Sequence, residues 1–77
     1  MEVIIGGIYR HFKGHIYKVL YVAIDSETLD DVVVYQDTLD ESKIWVRKKD
    51  MFLSKVDRNK YPNITQEYRF EIINKKA

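Results

Sequence analysis

The chain of 77 residues is long enough for one small domain and too short for a second core. It contains no cysteine, which excludes a disulfide framework and a thiolate zinc site. Its formal net charge of +1 does not by itself indicate a polyanionic partner. No run approaches the ~18 apolar residues of a membrane span, and the N-terminus lacks the basic leader of a signal peptide. We therefore expect a single domain over residues 1–77, cytoplasmic, without membrane contact, and either monomeric or homodimeric.

Charged residues are unevenly distributed along the chain. Segment 25–41 carries seven acids and no base, whereas segment 42–60 carries seven bases against Asp50 and Asp57. Solvated loops of opposite sign that aid solubility are the simpler interpretation. The alternative is a basic face on segment 43–60 that contacts nucleic acid.

The first predicted strands flank a glycine turn. Residues 8–12 form one strand, and Lys13-Gly14 turns the chain into a longer one at 16–24. Both faces of this second strand are apolar, which is typical of a central strand or a barrel strand. One face comprises Tyr17, Val19, Tyr21 and Ala23, and the other comprises Ile16, Leu20, Val22 and Ile24.

Further strands are predicted at 32–36, 43–47, 53–56 and 68–72, with one helical turn at 48–52. Pro62 excludes a central strand through the loop at 57–63. A helix is the alternative for 68–72, because Tyr68 and Ile72 are four residues apart. Five to six short antiparallel strands joined by tight turns predict an all-β fold, specifically a small SH3-like barrel.

The chain contains an ordered series of short motifs: Gly7-Ile-Tyr-Arg-His-Phe-Lys-Gly14, Ser26-Glu27-Thr28, Val33-Val34-Tyr35, Trp45-Val46-Arg47, Met51-Phe52 and Arg69-Phe70. This series resembles a family of small bacterial domains of unknown function. The resemblance covers roughly residues 6–72 and implies a fold and a candidate surface, without an established activity. Three positions depart from the family pattern: Asp25 replaces a histidine, and Lys48 and Tyr68 each replace a proline. If the family histidine is a general base or a metal ligand, this protein either lacks that group or uses Asp25 instead.

Two arginines and a tryptophan are candidate binding residues. If Arg10 and Arg47 flank Trp45 across a barrel, they present a planar aromatic ring beside two guanidinium groups. This arrangement suits a carboxylate, a phosphate or a stacked base. In the alternative interpretation, Trp45 packs in the core and the arginines pair with Glu27 or Asp31.

The Ser26-Glu27-Thr28 motif is either a capped turn or part of a ligand site. Hydrolysis would need Ser26 to use His11 as its base, and no glycine-rich nucleophile elbow is present. His11 and His15 lie four residues apart across a turn, so we predict no metal site. We predict no catalytic residue and no cofactor.

The sequence therefore predicts a small binding or accessory module that recognises a peptide or a nucleotide-like ligand. A nucleic-acid-binding accessory domain using segment 43–60 and a small hydrolase using His11 and Ser26 are the alternatives. We favour a non-enzymatic role. The candidate ligand-binding residues are Arg10, His11, Ser26, Glu27, Thr28, Trp45 and Arg47.

Overall fold

Five strands form one antiparallel sheet in the computed structural model, which describes residues 2–75. The strand order is β4-β3-β2-β1-β5, and every neighbouring pair is antiparallel. The all-β prediction is confirmed, since the single helix in residues 2–75 has only four residues. The elements are β1 (Ile8–His11), β2 (Ile16–Ile24), β3 (Asp31–Asp37), β4 (Ile44–Lys48), α1 (Lys49–Phe52) and β5 (Phe70–Asn74).

The sheet is open within the described part of the chain. Strands β4 and β5 are its two edges and do not pair with each other, so the expected closure into an SH3-like barrel is not observed. Segment 53–69 folds back on itself instead, with the Val56 N–H donating to the Glu67 carbonyl and the Arg69 N–H to the Ser54 carbonyl. Because these backbone groups pair within the segment, they are not available to join the two edges.

Two strand predictions in the C-terminal half need correction. Residues 53–56 form no strand and contribute only an isolated bridge between Lys55 and Tyr68. The last strand begins at Phe70 and continues to Asn74, two residues later than the predicted 68–72. Since this segment pairs with β1 as a strand, the helical alternative is wrong.

The hydrophobic core lies on one face of the sheet, which we call the inner face. Helix α1 follows β4 directly and places Phe52 at the centre of this core, fully buried. Its ring stacks on Phe70 with centroids 4.1 Å apart, and Tyr9 meets it edge-on at 5.2 Å. Burial of one such ring contributes about 1.5–3 kcal/mol to the free energy of unfolding. The core comprises Tyr9, Val19, Val33, Tyr35, Phe52 and Phe70.

A β-bulge interrupts the long strand β2. The register with β3 shifts between Val19 and Tyr21, so the strand gains one residue relative to its partner. Val19 is buried on the inner face, whereas Tyr21 pairs with Val34 and is 66% exposed. The expectation that Tyr17, Val19 and Tyr21 share a face is therefore wrong, because the extra residue reverses the alternation.

The β1–β2 turn lies at the end of the sheet where the candidate functional site is found. Gly14 adopts a φ of 104°, and its N–H donates to the His11 carbonyl at 2.7 Å. A positive φ of this kind favours glycine, as the sequence predicted. We call this the turn end of the sheet; the connection from β2 to β3 lies at the opposite end. Helix α1, the only helix in residues 2–75, is too short to cross a membrane.

Candidate functional site

A cleft of about 430 Å³ opens at the turn end of the sheet. We call it the turn-end cleft. It combines aromatic side chains with positively charged ones, and its lining has a single carboxylate. The residues that line it are His11, Phe12, Lys13, His15, Tyr17, Tyr35, Arg47, Asp57, Lys60, Tyr61, Arg69 and Phe70.

Strand pairing explains why these side chains meet. His11 follows the buried Tyr9 by two positions, so it lies on the inner face of β1 and pairs with Phe70 in β5. Arg47 reaches the same face from β4, because it pairs with the fully buried Val33. The cleft is therefore built across the whole width of the sheet, from one edge strand to the other.

Each arginine of the cleft is oriented by one hydrogen bond that its Nε donates. Arg47 Nε donates to the Tyr35 hydroxyl oxygen at 3.2 Å, and its guanidinium carbon lies 5.6 Å from the centre of the Phe70 ring. Arg69 Nε donates to Ser54 Oγ at 3.1 Å. Within residues 2–75, neither guanidinium forms an ion pair, and their terminal nitrogens donate no hydrogen bond. Two oriented guanidinium groups are thus left with free donors facing a common space.

His11 is a neutral hydrogen-bond donor at pH 7. Burial, followed by the positive charges of Arg47 and Arg69, lowers its pKa from 6.5 to about 4. Its Nδ1 accepts the backbone N–H of Lys13 at 3.1 Å, so the single proton of the neutral ring lies on Nε2. The ring stacks on Phe12 at 4.5 Å, which fixes its orientation.

The rim of the cleft carries two lysines around one tyrosine. The Nζ atoms of Lys13 and Lys60 each lie 5.5 Å from the centre of the Tyr61 ring. A hydrogen bond from Lys13 is the largest cause that lowers the pKa of the Tyr61 phenol. The one acid of the lining, Asp57, already accepts the backbone N–H groups of Asn59 and Lys60 at 2.9 and 3.3 Å. This one carboxylate faces Lys13 and Lys60, so the rim keeps a net positive charge.

The predicted grouping of Arg10, Trp45 and Arg47 does not form. Arg10 alternates to the outer face of β1, where its Nη2 lies 4.0 Å from Glu71 Oε1 and its Nε donates to the Gln66 side chain. Trp45 shares the inner face with Arg47 as expected, but it is 48% exposed on edge strand β4 and does not line the cleft. Neither the proposed flanking of Trp45 nor its core alternative is therefore correct.

The Ser26-Glu27-Thr28 motif lies at the opposite end of the sheet. Asp25 Oδ1 accepts the backbone N–H groups of Glu27 and Thr28 at 2.9 and 3.2 Å, which makes a capped turn. These two hydrogen bonds also lower the pKa of the Asp25 carboxyl. Because the nine residues of β2 separate Ser26 from His11, about 30 Å of strand lies between them at roughly 3.3 Å per residue. The pairing of Ser26 with His11 that the hydrolase alternative requires therefore does not form.

Several cleft residues were missed by sequence reasoning. Lys60 and Tyr61 lie in an irregular loop, where no periodic pattern predicts the direction of a side chain. Arg69 and Phe70 could have been identified as site residues from the sequence, because they form one of the motifs quoted above and lie at the start of an alternating strand. The other lining residues outside the predicted set are Phe12, Lys13, His15, Tyr17, Tyr35 and Asp57.

Fold and cleft together define a small all-β domain with a cationic, aromatic-lined cavity. The chain belongs to the family described as protein of unknown function (DUF1653), whose profile matches residues 7–72. That span contains all the residues that line the turn-end cleft. The expected membership of a family of small domains of unknown function is thereby confirmed. Comparisons with curated proteins and with solved structures return no match.

Proposed function

We propose that this protein is a non-enzymatic binding module whose turn-end cleft takes a small anionic ligand with a planar ring, such as a nucleotide-like molecule. The observation that carries the proposal is the pair formed by Arg47 and Arg69. Both are oriented by a hydrogen bond through Nε, and neither has an ion pair within residues 2–75. Guanidinium groups held in this way match the geometry of carboxylate and phosphate groups.

The size and lining of the cleft support this function. A volume of about 430 Å³ lies within the usual range of ligand pockets, roughly 300–1,000 Å³. A hydrogen bond to a charged group contributes about 1.5–3 kcal/mol, and stacking of a base on an aromatic side chain contributes a further ~1–3 kcal/mol. An anionic ring compound can use both kinds of contact in one cleft.

Two other partners have less support. For nucleic acid, segment 43–60 would need a continuous row of free cations. However, Lys43, Lys48 and Lys55 lie 4.0, 3.5 and 3.6 Å from Asp40, Asp30 and Glu67 in surface ion pairs. A peptide would use both the cationic and the aromatic side chains of the cleft only through a side chain that carries an anionic group and a ring. Peptide binding is therefore included as one outcome of the test below.

The test is a set of NMR titrations of the labelled protein with AMP, an acidic peptide and a short oligonucleotide. We expect AMP to shift the amide and side-chain signals of Arg47, Arg69 and Tyr17. The variant R47A should weaken binding about 10- to 100-fold, the loss expected for one charged hydrogen-bonding group. Variant R10A is the matched control, because it removes an arginine from the outer face. Equal losses in the two variants, or shifts confined to residues outside the cleft, would refute the proposal.

A further inference from the structure

We infer that the anionic group recognised by the turn-end cleft is a phosphate monoester attached to a planar ring. This inference rests on the proposed function and narrows it to one ligand class. Its first support is charge. Lys13, Arg47, Lys60 and Arg69 oppose Asp57 alone, so the lining carries a net charge of +3 when both histidines are left out.

A doubly charged group fits this surplus better than a singly charged one. A phosphate monoester carries about −1.5 to −2 charges at pH 7 and offers three acceptor oxygens. A carboxylate or a sulfate ester carries one charge, which leaves most of the positive charge of the cleft uncompensated. The Asp57 carboxylate is already counted in this net charge, and its Oδ1 accepts the backbone N–H groups of Asn59 and Lys60.

The number of donors points in the same direction. Arg47 on β4, Arg69 just before β5 and His11 on β1 come from three separate elements and face the same cavity. The Arg47 guanidinium carbon lies 5.6 Å from the centre of the Phe70 ring, and the His11 ring lies 4.9 Å from the same ring, so Arg47 and His11 share a neighbour in the cleft. A tetrahedral group can offer one oxygen to each arginine and one to His11 Nε2. A planar carboxylate has only two oxygens, whose lone pairs lie in one plane, so two of these donors must share one oxygen and all three must approach close to that plane.

The planar ring is inferred from which aromatic side chains remain accessible. Tyr35 and Phe70 are buried beneath the cleft, whereas Phe12, Tyr17 and Tyr61 are only half-buried and line its opening. Their rings can contact the part of the ligand that lies outside the phosphate. Because aromatic stacking tolerates any π face, this part of the cleft accepts either a base or a phenyl ring.

Four small probes test separately the charge of the ligand, its anionic group and its ring: phenyl phosphate, phenyl sulfate, benzoate and inorganic phosphate. Phenyl sulfate has the shape of phenyl phosphate with one charge fewer, and inorganic phosphate lacks the ring. Using calorimetry at pH 7.5 and 50 mM salt, we expect phenyl phosphate to bind at least about tenfold more tightly than each of the other three. In R69Q this preference over phenyl sulfate should narrow, whereas R10Q should preserve it.

The outcomes distinguish the two proposals. If phenyl sulfate or benzoate binds as tightly as phenyl phosphate, the phosphate assignment is overturned and the anion-binding function stands. If inorganic phosphate binds equally well, the requirement for a ring is overturned. If none of the probes binds the cleft, the proposed function fails as well. Comparison of AMP with O-phosphotyrosine then shows whether the phosphate monoester comes from a nucleotide or from a phosphorylated tyrosine. Tighter binding of either compound supports recognition of a phosphate monoester attached to a ring.

Discussion

Protonation of His11 should contribute to destabilising the protein as the pH is lowered. Its pKa is about 4 in the folded protein and 6.5 for an unperturbed histidine. Between these two pH values, the unfolded state binds a proton that the folded state does not. The free energy of unfolding must therefore fall as the pH drops from about 6.5 to about 4 and show no further loss from this group below that window.

The magnitude follows from the same two pKa values. The difference between 6.5 and about 4 corresponds to about 3 kcal/mol at 1.36 kcal/mol per unit. His11 is only half-buried, so solvent screens the charges of Arg47 and Arg69 and the burial cost is incomplete. We therefore expect a loss of about 1–2 kcal/mol from this group between pH 7 and pH 4.

Urea unfolding at pH 7.0 and pH 4.5 measures this loss. The wild-type protein contains carboxylates that also titrate, so the informative quantity is its pH dependence minus that of H11Q. Variant H15Q is the matched control, because it removes the other histidine, which also lines the cleft. The reasoning is refuted if wild type and H11Q lose equal stability on acidification, or if the His11 ring titrates near pH 6.5 by NMR.

Three further predictions concern the stability of the fold. F52A should lower the free energy of unfolding by about 3–5 kcal/mol in urea unfolding, because Phe52 is fully buried and stacked, and F52L should cost clearly less. G7A should cost about 1–3 kcal/mol by the same measurement, since the added Cβ would lie 2.9 Å from the Ile4 carbonyl oxygen and 3.1 Å from the Tyr9 ring. D25A should lower Tm and D25N should retain most of it, because the amide oxygen still accepts the two backbone N–H groups of the turn; equal Tm values for the two variants would contradict this role.

Local patterns were sufficient to predict most of the sheet. The turn at Gly14, the strand at 16–24 and the valine-rich strand each depend on glycine conformation or β-branched side chains, which act over a few residues. The bulge between Val19 and Tyr21 depends on pairing with a distant strand, so no local signal predicts it. The open edges likewise depend on where segment 53–69 finds its own hydrogen bonds.

The candidate site was predicted only in part, for a related reason. Alternation along β1 and β4 correctly separates Arg10 from His11 and puts Trp45 and Arg47 on one face. It does not reveal which strands are neighbours, and β1 and β4 are separated by two strands in the sheet. Side chains from the two strands meet only when they are long enough to reach across the inner face. Arg47 extends over Phe70, whereas Trp45 remains at the edge.

Because the sheet is open, a ligand in the turn-end cleft would link its two edge strands. The backbone leaves β4 and β5 unjoined at the two edges, yet Arg47 lies on β4 and Arg69 immediately precedes β5. A ligand held by both arginines would connect the two edges through its own oxygen atoms, in place of the interstrand hydrogen bonds that would close a barrel. Ligand and fold would then stabilise each other, by about 2.7 kcal/mol at a ligand concentration one hundred times Kd.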